Sequence, residues 1–172
     1  MSVQSQIDPR GQRFAATLTT VLLAVVLLTA PSVTAVALLA VQTALFAAGA
    51  FAGVQRTPYA WLYKTLVRPR LSAPNELEDA APPRFAQSVG LGFAVVALAG
   101  YLSGATLLGA VATGFALGAA FLNAAFGFCL GCEVYLLVRR LVPTTNRAKV
   151  TIASTLNDSN SHDNNRAGLP VA

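Results

Sequence analysis

Residues 14–55 read FAATLTTVLLAVVLLTAPSVTAVALLAVQTALFAAGAFAGVQ and contain no Asp, Glu, Lys, Arg or His. An uncharged apolar run of about 18 residues or more predicts a helix that crosses the bilayer, and this run is long enough for two. Pro31 and Ser32 interrupt it, which predicts a hairpin of spans over 14–30 and 33–54. A second uncharged stretch, residues 85–132, predicts two more spans over 85–103 and 107–126.

The composition agrees with a membrane protein of one domain. Charged residues make up 11% of the 172 residues, against about 25% in soluble domains, and the mean hydropathy is +0.58. We therefore predict an all-α bundle of four transmembrane helices over residues 14–141. The polar segment 1–13 precedes it, with Asp8-Pro9 as a helix start, and the Asn-, Ser- and Thr-rich tail 142–172 is expected to be disordered.

The positive charges indicate how the chain is oriented. Every Lys and Arg lies at the N-terminus, in the loop 55–84 or toward the C-terminus. The positive-inside rule then places both termini and this loop in the cytoplasm, with the protein in the inner (plasma) membrane. The net charge of +5 is explained by this anchoring, and we predict no nucleic-acid partner. Cleavage of the first span as a signal peptide after Ala35 is an alternative, but apolar sequence resumes directly after Pro31.

The loop between the second and third spans combines aromatic, basic and acidic residues. Its segment Pro58–Val67 is predicted to form a short interfacial helix, with Tyr59, Trp61 and Tyr63 at headgroup depth. Pro82-Pro83 is expected to end the acidic turn that precedes the third span. The arginines of the loop, facing its acidic run, could dock a soluble partner, although ordinary anchoring also explains them.

Four segments together resemble a known family. They are IDPRGQRFAA (7–16), RPRL (68–71), NELEDAAPPRFAQ (75–87) and AAFLNAAFGFCLGCEVYLL (119–137). In combination they resemble the domain of unknown function 4395 family, bacterial integral membrane proteins of small size, over about residues 7–140. The resemblance implies a four-helix membrane protein and no established activity.

The fourth span is too long for one straight helix. From Leu107 to Val138 there is no Lys or Arg, and a straight helix of that length would measure about 48 Å against a hydrocarbon core of about 30 Å. Gly127 and Gly131 flank Cys129. We therefore predict a break after Phe126 and a second helix from about residue 129 to residue 140, near the interface.

The only two cysteines form a Cys-x-x-Cys pair at this break, followed by Glu133. At the start of a helix, the helix dipole and free amides favour a thiolate. This pattern predicts Cys129 as an attacking thiol, Cys132 as the resolving thiol, and Glu133 as a group that moves the proton or opposes the negative charge. The function would be thiol–disulfide exchange or sulfur transfer with a soluble thiol or sulfur-carrier protein. Packing of two small apolar side chains is the simpler alternative.

Other functions remain open at this level. Cys129 and Cys132 could bind a soft ion such as Cu(I), or form a four-thiolate site in a homo-oligomer; a zinc site in one chain is unfavourable because His162, the only histidine, lies in the tail. A non-enzymatic scaffold is a further alternative. Phosphate-loop, nucleotide and hydrolase motifs are absent from the sequence, and we assign no cofactor.

Small and polar residues within the spans predict how the helices associate. Gly-x-x-x-Gly occurs at 49–53, 100–104, 114–118 and 127–131, which favours close helix contacts and a tightly packed bundle. Asn123 in the fourth span is expected to form a hydrogen bond between helices. Its candidate partners are Gln42, Thr43, Gln87 and Ser88.

Overall fold

Six α-helices and one short β-ladder, with 3-10 turns at Val54–Arg56 and Arg68–Arg70 and a π-helical turn at Tyr63–Val67, form the part of the chain that the computed structural model describes, residues 6–72 and 77–141. The predictions about Glu76, His162 and the tail 142–172 lie outside these residues. The elements are β1 (Gln6–Ile7), α1 (Pro9–Thr29), α2 (Val33–Phe51), α3 (Pro58–Leu62), β2 (Glu78–Asp79), α4 (Ala81–Leu102), α5 (Thr106–Phe126) and α6 (Leu130–Leu141). Leu137–Leu141, the end of α6, belong to a second unit, residues 137–172.

The four long helices, α1, α2, α4 and α5, are each long and apolar enough to cross a membrane. The predicted all-α architecture with four membrane-spanning helices is therefore confirmed. Around the bundle the order is α1, α2, α4 and α5, with α5 again beside α1. Leu23 and Val26 of α1 are fully buried in the core, so α1 packs as an integral helix of the bundle.

Local capping explains where the helices begin. The Asp8 side chain accepts a hydrogen bond from the Arg10 N–H at 2.9 Å, and Pro9 fits the first helical position because it needs no donor. As a result α1 begins before the predicted span. Pro82 and Pro83 likewise lie inside the first turn of α4, so they start that helix and do not merely end the preceding turn.

The bundle is tightly packed in only one of its halves. Near the two hairpin turns the backbones approach closely: a Cβ atom on Gly100 would lie 2.7 Å from the Gly109 nitrogen. Around this contact lies the buried core, which includes Leu23, Val26, Ala35, Leu39, Ala94, Ala97, Tyr101 and Ala112. The opposite half, toward the loop 55–84, contains a partly open cavity of about 650 Å³. The expectation of tight packing throughout was wrong for that half, which we call the open half.

The two helical hairpins make matching end contacts. Arg13, near the start of α1, donates hydrogen bonds to two carbonyls in the last turn of α5 at 3.3 and 3.4 Å. Arg84, near the start of α4, donates to two carbonyls at the end of α2 at 3.2 and 3.3 Å. Both of the capped helices are followed by a glycine with positive φ, Gly53 after α2 and Gly127 after α5.

The aromatic contacts and the β-ladder also occur in matching positions of the two hairpins. Phe14 packs against Tyr63 with ring centroids 5.9 Å apart, and Phe85 packs against Tyr135 with centroids 5.7 Å apart. The strands β1 and β2, which precede α1 and α4, pair with each other in antiparallel register. The described part of the chain therefore contains two similar units, each with a strand, a helical hairpin, a glycine and a short helical segment, and a tyrosine of that segment (Tyr63 or Tyr135) packs on the hairpin.

Candidate functional site

The predicted break in the last apolar stretch is present, and a glycine forms it. Gly127 ends α5 in the left-handed conformation, with φ of 69°. Its N–H donates to the Asn123 carbonyl at 3.0 Å, which is how helices commonly end at glycine. Two residues later Cys129 stands directly before α6. The backbone at Gly127 thus places the first thiol at a helix start.

Cys129 occupies the N-cap position of α6. Its carbonyl accepts the first helical hydrogen bond, from the Glu133 N–H at 3.0 Å. Its sulfur accepts hydrogen bonds from the backbone N–H groups of Gly131 and Cys132. In the first repeat the ordinary capping residue Thr57 does the same for α3, accepting from the Ala60 N–H at 3.3 Å. A thiol therefore stands where Ser, Thr, Asp or Asn is normally preferred.

The two thiols differ in acidity because they bond to each other. The Cys132 side chain donates a hydrogen bond to the Cys129 sulfur, and with the two backbone N–H groups this lowers the pKa of Cys129 to about 7, although burial opposes the shift. The same bond raises the pKa of Cys132, and burial and the charges of Cys129, Glu78 and Glu133 raise it further. The arrangement favours a thiolate on Cys129 and a proton on Cys132.

Both cysteines are free, half-buried thiols. Their sulfur atoms are not at disulfide distance, so the described form is the dithiol. Glu133 is exposed in the first turn of α6. The structure thus brings the three sequence-predicted site residues together in one helical turn.

An outer crevice of about 350 Å³ borders the dithiol. Its wall includes both cysteines and four charged residues, Arg13, Glu78, Asp79 and Glu133. Such a lining is polar and lies at the end of the bundle where α1 and α4 begin. We refer to this space as the outer crevice.

The cavity of the open half, the inner cavity, lies on the other side of Cys129. It extends from Cys129 and Asn123 to the middle of the bundle. There the Tyr59 hydroxyl donates to Gln42 Oε1 at 3.0 Å, and Gln42 Nε2 lies 3.5 Å from Thr19 Oγ1. Gln42 is fully buried. Cys129 is thus part of the wall between a charged crevice and an interior cavity.

The aromatic residues of the loop behave differently from the prediction. Trp61 is exposed, but Tyr63 is buried and its hydroxyl donates to Asp8 Oδ2 at 2.9 Å. Tyr59 reaches Gln42 inside the bundle. Two of the three aromatic side chains therefore form hydrogen bonds with Asp8 and Gln42, and only the tryptophan is exposed; their depth in a membrane stays a prediction. Sequence reasoning missed these hydrogen bonds because it treated the loop as a membrane anchor.

Polar contacts between the helices also differ from those expected. Gln42 bonds to Thr19 and Tyr59, and Ser88 bonds back to the Arg84 carbonyl of its own helix. Asn123 lines both the outer crevice and the inner cavity. Gln42, one of the four candidate partners of Asn123, therefore bonds to other residues in the described structure. Within residues 6–72 and 77–141 no group of three or more His, Cys, Asp or Glu side chains is placed to hold a metal ion.

Comparison with known protein families identifies the family to which the chain belongs. The family model described as Domain of unknown function (DUF4395) matches residues 7–140. The chain belongs to the DUF4395 family. The match covers both repeats and the whole dithiol segment of the DUF4395 protein. Neither a curated protein nor a solved structure matches it. The family description names no activity, so the chemistry rests on the site itself.

Proposed function

We propose that the DUF4395 protein is a membrane-embedded dithiol that exchanges disulfides with a soluble thiol protein through Cys129 and Cys132. The observation that carries the proposal is the N-cap position of Cys129, whose sulfur accepts hydrogen bonds from two backbone amides and the Cys132 thiol. Thiolates are the reactive form of cysteine, and a helix start stabilises them. Simple packing of small apolar side chains does not call for these hydrogen bonds.

The exchange proceeds in two balanced steps. The Cys129 thiolate attacks a disulfide of the partner, forming a mixed disulfide and releasing one partner thiolate. Cys132 then loses its proton and attacks the Cys129 sulfur, which forms the Cys129–Cys132 disulfide and releases the second partner thiolate. The partner gains two electrons and the protein loses two. Run in reverse, the same steps oxidise a partner dithiol.

Glu133 and Glu78 act in this scheme through their charge. Both carboxylates raise the pKa of Cys132, which keeps its proton in place as the donor to Cys129. The proton must leave when Cys132 becomes the nucleophile, and we assign its acceptance to Glu133, the exposed carboxylate next to Cys132 in sequence. The sulfurs also have to approach from their present separation before the disulfide can form.

A sulfur-carrier protein would use the same nucleophile. The Cys129 thiolate would attack the outer sulfur of a persulfide on the carrier, leaving the thiolate of the carrier and a persulfide on Cys129. In either case the partner reaches the thiols through the outer crevice. The distribution of Lys and Arg places this end of the bundle in the cytoplasm, as part of the proposal.

Two cysteine variants test the proposal with a built-in control. Cys132→Ala leaves Cys129 without a resolving thiol, so a mixed disulfide with oxidised glutathione or an oxidised thioredoxin-type protein should accumulate. Cys129→Ser should capture neither, yet it keeps a capping oxygen at the N-cap and should fold normally. Capture is measured by non-reducing electrophoresis and intact mass. Equal capture by both variants, or by neither, would contradict the assigned roles.

The orientation is tested separately. A membrane-impermeant maleimide is added to sealed vesicles of known sidedness, first outside and then inside. We expect Cys129 to be labelled only from the cytoplasmic side. Labelling from the opposite side would reverse the topology and leave the exchange chemistry intact.

A further inference from the structure

The inner cavity reaches the surface that faces lipid. Val89, Phe93 and Phe115 line it, and all three are exposed on the outside of α4 and α5, Phe115 by 64%. The Phe93 and Phe115 rings lie face to face with centroids 6.0 Å apart. A molecule dissolved in the bilayer could therefore reach the cavity between α4 and α5 by displacing this pair of rings.

The cavity wall is mostly apolar, and its lining also includes the charged residues Asp8, Lys64 and Arg68. Side chains such as Phe46, Ala116 and Ala119 form its apolar wall. At its inner end are the Gln42 amide and the Tyr59 hydroxyl, and burial raises the pKa of Tyr59, which keeps that hydroxyl protonated. At the outer end is Cys129. A volume of about 650 Å³ is in the range of small-molecule sites.

We propose that the inner cavity binds a lipid-soluble quinone that oxidises the Cys129–Cys132 dithiol. This inference rests on the dithiol chemistry proposed above and names its electron acceptor. A quinone ring matches the aromatic and alanine wall, and its carbonyl oxygen can accept a hydrogen bond from the polar end. Its isoprenoid tail can leave between α4 and α5 toward lipid, past Phe93 and Phe115.

The electrons and protons balance. The Cys129 thiolate bonds to a carbon of the quinone ring, and one ring oxygen takes up a proton. The deprotonated Cys132 attacks the Cys129 sulfur; the S–S bond forms as the S–C bond breaks, and that electron pair stays on the ring, whose second oxygen takes up the other proton. A dithiol and a quinone become a disulfide and a quinol, and the two thiol protons supply those of the quinol. The new disulfide can then oxidise the dithiol of a soluble partner through the outer crevice.

The test uses the full chain in lipid nanodiscs with decylubiquinone as the probe. In the first experiment the reduced protein is mixed with decylubiquinone, and quinone loss is followed by ultraviolet absorbance while free thiols are counted. We expect quinol and disulfide to form in equal amounts. The same protein is also treated with oxidised glutathione. If glutathione disulfide reacts and the quinone does not, the quinone proposal is overturned while thiol exchange stands.

A second experiment measures binding without the chemistry. The double variant Cys129→Ser and Cys132→Ser is photolabelled with an azido-quinone, and the labelled peptides are identified by mass spectrometry. Labelling should fall on cavity residues of α4 and α5 and be competed by decylubiquinone. If it does, and the wild-type thiols react with neither oxidant, the exchange function fails while the binding site stands. Labelling confined to the exposed lipid face, with no competition, would overturn the site.

A matched pair of substitutions separates the cavity from the outer surface. Ala119→Phe fills the cavity, and we expect it to weaken quinone binding about tenfold or more. Ala44→Phe adds the same ring at an exposed position of α2 outside the cavity lining and should change binding less than about twofold. Equal effects of the two, with both variants folded by thermal unfolding, would refute the location.

Discussion

The alkylation rate of Cys129 as a function of pH tests the site most directly. Because the pKa of this thiol is lowered to about 7 from an ordinary value of 9.0, its thiolate should form as pH rises through 7. About half the molecules then carry the thiolate at pH 7, against about 1% for an unperturbed thiol. Cys132, whose pKa is raised, should stay unreactive over the same range.

The alkylation rate of Cys129 should increase by a smaller factor than its thiolate population does. The thiolate population at pH 7 rises by about 50-fold, but the nucleophilicity of a thiolate falls with its pKa, with a Brønsted coefficient of about 0.4–0.5. Two pKa steps therefore reduce the intrinsic rate by about 6- to 10-fold. The net expectation at pH 7 is an alkylation about 5- to 8-fold faster than that of an ordinary cysteine. At pH 10 an ordinary cysteine should be alkylated faster than Cys129, because both thiols are then ionised and the thiolate of higher pKa is the better nucleophile.

The assay is iodoacetamide labelling of the protein in nanodiscs between pH 5 and 10, with peptide mass spectrometry to assign each label. In Cys132→Ala the thiol donor is lost and only the backbone amides remain, so the midpoint should move upward. Cys132→Ser keeps a hydroxyl donor and should lie between the two. A wild-type midpoint near 9, or a midpoint that Cys132→Ala leaves unchanged, would refute the assigned hydrogen bonds.

Three further predictions concern the frame that holds the site. Arg13→Gln should lower the free energy of unfolding by about 1 kcal/mol. It should also raise the midpoint of the alkylation profile of Cys129, since Arg13 caps the helix that precedes the dithiol. Arg84→Gln should lower the free energy of unfolding by a similar amount and leave the alkylation profile unchanged. Gly131→Ala places a Cβ atom 2.6 Å from the α4 backbone and should slow alkylation at pH 7, whereas Gly118→Ala, with no neighbouring atom within 4 Å, should change nothing. Thr57→Ala should lower stability by about 1 kcal/mol through the lost cap, and Thr57→Ser should not; equal unfolding temperatures would contradict the cap.

Much of the fold could be predicted from the sequence because long uncharged runs have few alternatives in a bilayer. The four long helices, the hairpin turn at Pro31 and the break near Gly127 all follow from run length, proline and glycine. The position of the thiol pair and Glu133 at a helix start also follows from spacing, and their chemical role stays a prediction. What spacing could not give is the partner of each polar group, because a partner depends on how far apart the helices lie. In one half of the bundle the missing side chain of residues such as Gly100 lets the helices lie close together, whereas in the other half they lie farther apart.

The inner cavity was missed for this reason. Alanine and glycine are common on every helix, and the same residues can bring two backbones together or leave space between them. Gly100 meets the Gly109 backbone, whereas Ala119 and Ala120 line the inner cavity. The composition gives the number of small residues. It does not tell whether a given small residue brings two helices together or leaves space between them. The hydrogen bonds of the loop tyrosines could not be predicted from the sequence because their partners, Asp8 and Gln42, are distant in sequence.

The sequence contains a short pattern that matches the internal repeat, but the pattern is recognisable only once the contacts of the two hairpins are known. Asp8 and Arg13-Phe14-Ala15 recur, at the same spacing, as Asp79 and Arg84-Phe85-Ala86. The rest of the two units has diverged, since apolar residues replace each other freely on faces that contact lipid. Only groups with directional contacts are retained, and these are the caps and the aromatic pairs.

The repeat also gives an internal reference for the site. Both short helices start beside the same cavity, each after a glycine, and each is capped by the side chain before its first residue. In the first unit that side chain is Thr57, which serves capping alone and has a hydroxyl that does not ionise near neutral pH. In the second unit it is Cys129, which makes the same backbone contacts but can carry a charge and form a covalent bond. A frame needed only for packing would be served equally well by threonine in both places. The substitution of sulfur for oxygen at one of two equivalent positions, with a second thiol one turn away to donate to it, is therefore the feature that a purely structural role does not explain.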